Sequence, residues 1–134
     1  MAIGGGTGLT GIFGDPVAHS ASPAMHNAAY AALGMDRAYV PFHVAAAQLP
    51  IALRAIQALG LLGVNITVPH KERAARLIKR QSAETRLLGA VNCVIFRAGG
   101  LFGDNTDARG LAEDLAALGA PVRGRTAILI GAGG

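Results

Sequence analysis

The sequence predicts an α/β domain with a mostly parallel mixed sheet flanked by helices. Three observations carry that expectation. Short apolar runs alternate with segments of helical periodicity from Leu9 to Leu118. Gly34, Gly60 and Gly119 close three of the helical segments. Arg97-Ala98-Gly99-Gly100 separates two apolar runs like a tight hairpin, which demands at least one antiparallel pairing in an otherwise parallel sheet. At 134 residues and 51% hydrophobic, the chain can bury one core of ordinary domain size.

Leu9 to Phe13 reads as a short buried strand, broken by Gly14-Asp15-Pro16. Ser22-Pro23 is a helix-start signal, with Ser22 as cap and Pro23 to Leu33 helical. Ala38 to Val44 is the second strand, and a helix follows on which Leu49, Leu53, Ile56 and Leu59 share a face. Gly63 to Val68 is the third strand, stopped by Pro69, and a basic helix runs on to about Gln81. Ser82 caps another short helix, Val91 to Phe96 and Leu101 to Phe102 form the hairpin, and Leu111, Leu115 and Leu118 stripe a last helix.

The two ends read differently from this middle. Gly4 to Gly8 is expected as a flexible start, with no lysine to make it a phosphate loop. Pro121 to Arg125 reads as a linker, and Ala127 to Ile130 as an apolar strand entering Gly131-Ala132-Gly133-Gly134, as a dinucleotide-binding strand and turn would open. An ordinary glycine-rich terminus is the plainer alternative. The expected division is thus a tail at 1–8, a compact domain at 9–120, and at 121–134 a linker with the first strand and turn of a nucleotide domain. Gly131, Gly133 and Gly134 are its candidate cofactor-binding residues. Such a strand without its own sheet has an unpaired apolar edge, which invites self-association or leaves the segment poorly ordered.

Charge and cysteine usage narrow the function classes. The lone Cys93 has no partner in the chain, so the core must hold the fold, and cytoplasm is the expected compartment. No signal sequence can be read before Thr10, and charged residues interrupt every apolar stretch short of a membrane span. The net charge of +4 raises nucleic acid as a partner. Lys71, Arg73, Arg76, Lys79 and Arg80 have no aromatic side chains interleaved to stack on bases, which favours a solvated helix face. No metal is expected.

Ligands of open α/β sheets sit beyond the carboxyl ends of strands, which singles out a few residues. Ser20 and Ser22 place two hydroxyls directly before a helix start, where free amides and the helix dipole favour a carboxylate; Ser22 can equally be a plain cap. Asn65 and Thr67 point to one face of the third strand, suited to a polyhydroxylated ligand or to tying down nearby loop backbone. Lys71 lies just past that strand. Asp104 and Asp107 occupy a turn after another strand, so one of them can approach the ammonium and share the proton of an alcohol or ketone during hydride transfer. For Asp107 the competing role is a helix N-cap. Asn92 is a poor strand former inside an apolar strand, which points to a specific hydrogen-bonding task. Cys93 reads as an inert packed thiol.

Together, GDPVAHSASPAMHN, GVNITVPHKE, GAVN and GDNTDARG resemble, in order and spacing, the signature blocks of shikimate dehydrogenases. The resemblance runs from Gly11 to Gly134. It implies NADP-dependent, reversible reduction of 3-dehydroshikimate to shikimate, with this chain as the substrate-binding half and shikimate or 3-dehydroshikimate as its small-molecule partner. It further implies catalytic roles for Lys71 and Asp107, carboxylate binding by Ser20 and Ser22, and hydroxyl binding by Asn65, Thr67, Asn92 and Asp107. Cys93 departs from the Thr that many members carry there. Most of the nucleotide domain is missing from the sequence, so the chain alone is expected to be inactive.

Two other readings stay in view: a quinate or dual-specificity shikimate/quinate dehydrogenase on the same scaffold, and a free-standing ligand-binding or nucleic-acid-binding module.

Overall fold

The computed structural model describes residues 3–120, 122–128 and 130–131. Its centre is a six-stranded sheet in the order β2-β1-β3-β5-β6-β4, built from β1 (Gly8–Gly14), β2 (Arg37–His43), β3 (Gly63–Ile66), β4 (Arg80–Gln81), β5 (Cys93–Arg97) and β6 (Gly100–Asp104). β1 pairs parallel with β2 and with β3, as does β4 with β6. β3–β5 and β5–β6 are antiparallel, so the sheet is mixed as the hairpin demanded. Gly99 and Gly100 carry the hairpin at φ 91° and 107°, a backbone that side chains resist.

Five helices complete the fold: α1 (Ser22–Ala32), α2 (Leu49–Ala58), α3 (Lys71–Leu77), α4 (Ala83–Leu88) and α5 (Asp107–Ala117). Alternation along the strands gives each sheet face its own character. Phe13, Val64, Ile66 and Val94 project to one face and join Leu49, Leu53 and Ile56 of α2, Ala74 of α3, and Ile78 and Val91 in the main core. The opposite face carries Ile12 and Tyr39, which with Val17 form a smaller cluster against Tyr30 of α1. Asn65 and Cys93 are paired in register on that second face.

Several local expectations need correction. Ala21, not Ser22, is the N-cap of α1, and Ser22 is the first helical residue. Thr106 caps α5, so Asp107 opens that helix instead of capping it. β3 ends at Ile66, leaving Thr67 and Val68 in the connection, while Asn92 lies just before β5. The basic helix stops at Leu77, and Arg80–Gln81 pairs with β6, because the short run of buried Ile78 pulls the chain back onto the sheet. Leu59 follows the last residue of α2 and is exposed, as are Leu111 of α5, a helix with no buried residue, and Leu118 just after it.

At the N-terminal end, Gly8 already belongs to β1, and the Thr7 hydroxyl donates to Asp36 at 2.7 Å. At the other end, the expected strand at 127–130 lies partly outside the described residues; among those described, Ala127, Ile128 and Ile130 pair with no neighbour, and Ile128 and Ile130 are exposed. A strand has no ladder bonds without a partner alongside it. Gly131 has φ 89°, while Gly133 and Gly134 lie outside the described residues.

Candidate functional site

The chain brings one ammonium, one carboxylate and two side-chain amides into a continuous hydrogen-bonded group at the ends of β3 and β6. Lys71 opens α3 immediately beyond β3, and Asp107 opens α5 beyond β6. Their termini meet, Lys71 Nζ donating to Asp107 Oδ2 at 2.9 Å. The other carboxylate oxygen, Oδ1, accepts from Asn92 Nδ2 at 2.7 Å. Asp107 is therefore held at both oxygens, which fixes the plane of its carboxylate.

Asn92 sits just before β5, and its side chain ties down the turn before α5. Its Oδ1 accepts from Thr106 N at 3.0 Å, and its Nδ2 also reaches Thr106 Oγ1 at 2.9 Å. With 8% of its surface exposed, Asn92 uses both amide N–H groups and one lone pair of its oxygen, leaving the second lone pair open to a ligand hydroxyl. Its backbone carbonyl accepts from Ile66 N at 2.8 Å and from Asn65 Nδ2 at 3.2 Å, joining β3 to the group. Asn65 Oδ1 in turn accepts from the Tyr39 hydroxyl at 2.8 Å.

Asp104, the other carboxylate in this turn, turns away from Lys71. Its Oδ1 accepts from Ser82 Oγ at 2.7 Å, Thr85 Oγ1 at 3.3 Å and its neighbour Asn105 N at 2.9 Å. The Ser82 hydroxyl above all holds the Asp104 carboxyl below the ordinary range. Ser82 meanwhile caps α4 by accepting from Thr85 N, as the sequence predicts. One aspartate thus faces the lysine and the other locks a turn. Asn105 reinforces the same loop, its Oδ1 accepting from Asp107 N at 2.8 Å and its Nδ2 donating to Ala90 O at 2.9 Å.

Ser20 and Ser22 stand on the α1 side of the group. Ser20 Oγ accepts from Ser22 N at 3.2 Å, so the first of the two hydroxyls takes up a free amide at the helix start. The Ser22 side chain lies against the Tyr39 phenol, where it opposes part of the effect of burial. Burial pushes that phenol up to about 12, so it stays a hydrogen-bond donor through the neutral range. Thr67 is placed by its backbone, which donates to Phe13 O at 3.0 Å and accepts from His70 N at 2.9 Å. Its methyl closes against Gly14, where a Cβ would meet Thr67 Cγ2 at 2.5 Å, and its side chain is not joined to the Asn65–Asp107 group.

Tyr39 is the residue that sequence reasoning missed. The available signal was a tyrosine, one of only two in the chain, on the strand face shared with Asn65. A cavity of about 220 Å³ adjoins it, lined by Thr10, His26, Tyr30, Tyr39, Asn65 and Cys93 among others. Cys93 has its thiol pushed up by burial and then by Asp104, which keeps it protonated and a poor nucleophile. Among the described residues, no group of His, Cys, Asp and Glu gathers to hold a metal ion.

The basic residues disperse. Lys71 pairs with Asp107, Arg73 donates to Ala46 O, Arg76 lies 4.0 Å from Glu72, and Arg80 donates to Ala98 O at 3.2 Å. They form no aromatic-lined track. For a nucleotide cofactor, Gly131 alone of the three glycines is described, with no strand before it, and these residues do not by themselves make a nucleotide site.

Comparison with known proteins gives this geometry its context. The chain is 51% identical over 126 residues to the shikimate dehydrogenase (NADP(+)) of Symbiobacterium thermophilum, covering 94% of this chain and 43% of that protein. The chain thus spans less than half the length of that relative. The crystal structure of shikimate 5-dehydrogenase from Listeria monocytogenes in complex with shikimate and NAD superposes with a TM-score of 0.85 at 35% identity, over 91% of this chain and 42% of that one. The ligand-free 5-ketofructose reductase of a Gluconobacter strain also superposes, with a TM-score of 0.80 at 36% identity, over 86% of this chain and 42% of that one. The family model for the shikimate dehydrogenase substrate binding domain matches residues 12–94, more than half of the chain, and the protein belongs to that family.

Proposed function

We propose that this chain is the substrate-binding half of an NADP-dependent shikimate dehydrogenase, which interconverts 3-dehydroshikimate and shikimate. The observation that carries the reading is the Lys71–Asp107 contact, built between two helix starts and held by Asn92. Lys71 donates one ammonium N–H to Asp107, which leaves others for a ligand oxygen. As a ketone becomes an alcohol, Lys71 Nζ passes a proton to the nascent alkoxide, and Asp107 holds that nitrogen in place. In the reverse direction the same nitrogen accepts the proton.

Asn65, Asn92, Asp107 and Thr67 are assigned to the ring hydroxyls, and Ser20 and Ser22 to the carboxylate. Support comes from the shared sheet end and from the position of the serines at the start of α1. Residues 9–120 constitute the substrate domain in this reading. Residues 121–134 begin the nucleotide domain, with Gly131, Gly133 and Gly134 in its phosphate turn, and NADP completes the enzyme.

No helix among the described residues is long and apolar enough to cross a membrane. A cytoplasmic setting is proposed from the single reduced cysteine. The exposed Ile128 and Ile130 are proposed to be covered by further chain or by a second copy, which sedimentation of the isolated chain distinguishes.

Two measurements test the reading. Shikimate added to this chain should shift the side-chain amide NMR signals of Asn65 and Asn92, and the enzyme carrying its nucleotide half should reduce NADP in the presence of shikimate. Unmoved amides together with no shikimate-dependent reduction would overturn it, and quinate in competition measures substrate preference.

A further inference from the structure

Tyr39 stands on the edge strand β2, yet its hydroxyl reaches Asn65 on β3, with β1 between them. Three contacts hold the ring and backbone that make this reach. The His26 ring stacks on it at 4.2 Å between centroids and 5° between planes. Asn27 brackets its peptide, Nδ2 donating to Tyr39 O and Oδ1 accepting from Tyr39 N, both at 2.9 Å. Ile12 and Val17 pack around it, leaving 3% of the residue exposed. The clamped, buried phenol donates to Asn65 Oδ1, with the Ser22 side chain lying against the same hydroxyl.

Two partners together set which way the Asn65 amide faces. The Asn92 carbonyl is an acceptor only, so the nitrogen of Asn65 must point to it, as it does at 3.2 Å. The oxygen of Asn65 is then engaged by Tyr39 as donor. One N–H of Asn65 is left to meet a ligand.

We propose that Tyr39 is a positioning residue for the substrate: by fixing the Asn65 amide it makes position 65 a hydrogen-bond donor toward a ligand oxygen. The role rests on the substrate site proposed above. It also restricts the ligand, since a group that can only donate finds no partner there and a hydroxyl or ketone oxygen does. Burial supports the role by keeping the phenol protonated.

The test is a double-mutant cycle in the dehydrogenase that carries this chain, comparing wild type, Tyr39→Phe, Asn65→Ala and the double variant. One lost neutral hydrogen bond corresponds to about a fivefold change in binding. Tyr39→Phe should raise KM for shikimate by about that factor, and more than it lowers kcat, while adding less than about twofold in the Asn65→Ala background. A KM within twofold of wild type, or an effect undiminished without Asn65, overturns the proposal. Should Tyr39→Phe fail to fold, the wild-type amide decides. Shikimate should move one Asn65 Nδ2 proton signal and leave its partner, bound to Asn92, in place; equal movement of both overturns it. Wild-type enzyme that ignores shikimate would instead sink the substrate assignment, a distinct outcome.

Discussion

Lys71 and Asp107 lie 36 residues apart in sequence and meet at 2.9 Å across two helix starts. The Lys71 side chain is 21% exposed and that of Asp107 53%, so the contact is partly open to water. Ion pairs in that setting contribute at most about 1 kcal/mol to stability. The pair is placed where its chemistry, not its bond strength, is the use the fold makes of it.

Lys71→Ala should therefore change the unfolding midpoint little while lowering turnover steeply. In the enzyme carrying this chain, kcat should fall by about a hundred- to ten-thousandfold, the range of a lost proton-transfer group, with shikimate affinity largely kept. Steady-state kinetics beside thermal melts decide; unchanged turnover removes Lys71 from the chemistry.

Replacing both Ser20 and Ser22 with alanine should act in the opposite sense, raising KM for shikimate with a smaller effect on kcat. Ser20 also accepts from Ser22 N at the start of α1, so a drop in stability of about 1 kcal/mol should accompany it. A double variant with wild-type KM would assign the pair to helix capping alone.

Acid should weaken the turn before α5. The Asp104 carboxyl is held below the ordinary range in the folded chain, chiefly by the Ser82 hydroxyl. Its stabilisation is thus fully present above the ordinary carboxylate range and is lost as pH falls through the lower folded value. Urea midpoints from neutral pH into strong acid should decline over that window, and Ser82→Ala should flatten the decline. The same substitution removes the α4 cap and should cost about 1 kcal/mol at neutral pH.

Gly63→Ala should destabilise the sheet. A Cβ there meets the backbone carbonyl of Val94 on the paired strand, and neither backbone can yield without breaking the β3–β5 register. Overpacking of this kind costs about 1–3 kcal/mol, readable as a lower denaturation midpoint.

Cys93 should react slowly with thiol reagents in the native state. Its thiol is half-buried and pushed up, so little thiolate is present at neutral pH. Labelling that is complete within the mixing time, and not accelerated by denaturant, would contradict this.

The alternation of strand and helix was legible because the elements carry distinct periods and Gly34, Gly60 and Gly119 stop three of the helices, and the hairpin because Gly99 and Gly100 suit a backbone that side chains resist. The Lys71–Asp107 meeting was legible only as a pairing of strand ends. Helix starts were misjudged by one residue at Ser22 and Asp107, since a polar side chain near a helix start looks the same whether it caps or opens the first turn. The Tyr39 to Asn65 bond was not legible at all. It links residues 26 apart across an intervening strand, and no local pattern encodes which side chain reaches over β1.

Helix α5 carries the Asp107 carboxylate on its first residue and has no fully buried residue along its length. That makes it a lever pivoted at the chemistry. An 11-residue helix extends about 16 Å, so a tilt of about 10° about its first turn swings the far end by about 3 Å and barely displaces the carboxylate. A segment joined beyond Leu118 can shift by that distance with little displacement of the carboxylate. Residual dipolar couplings would reveal such a swing as α5 amide vectors averaging more widely than those of β3.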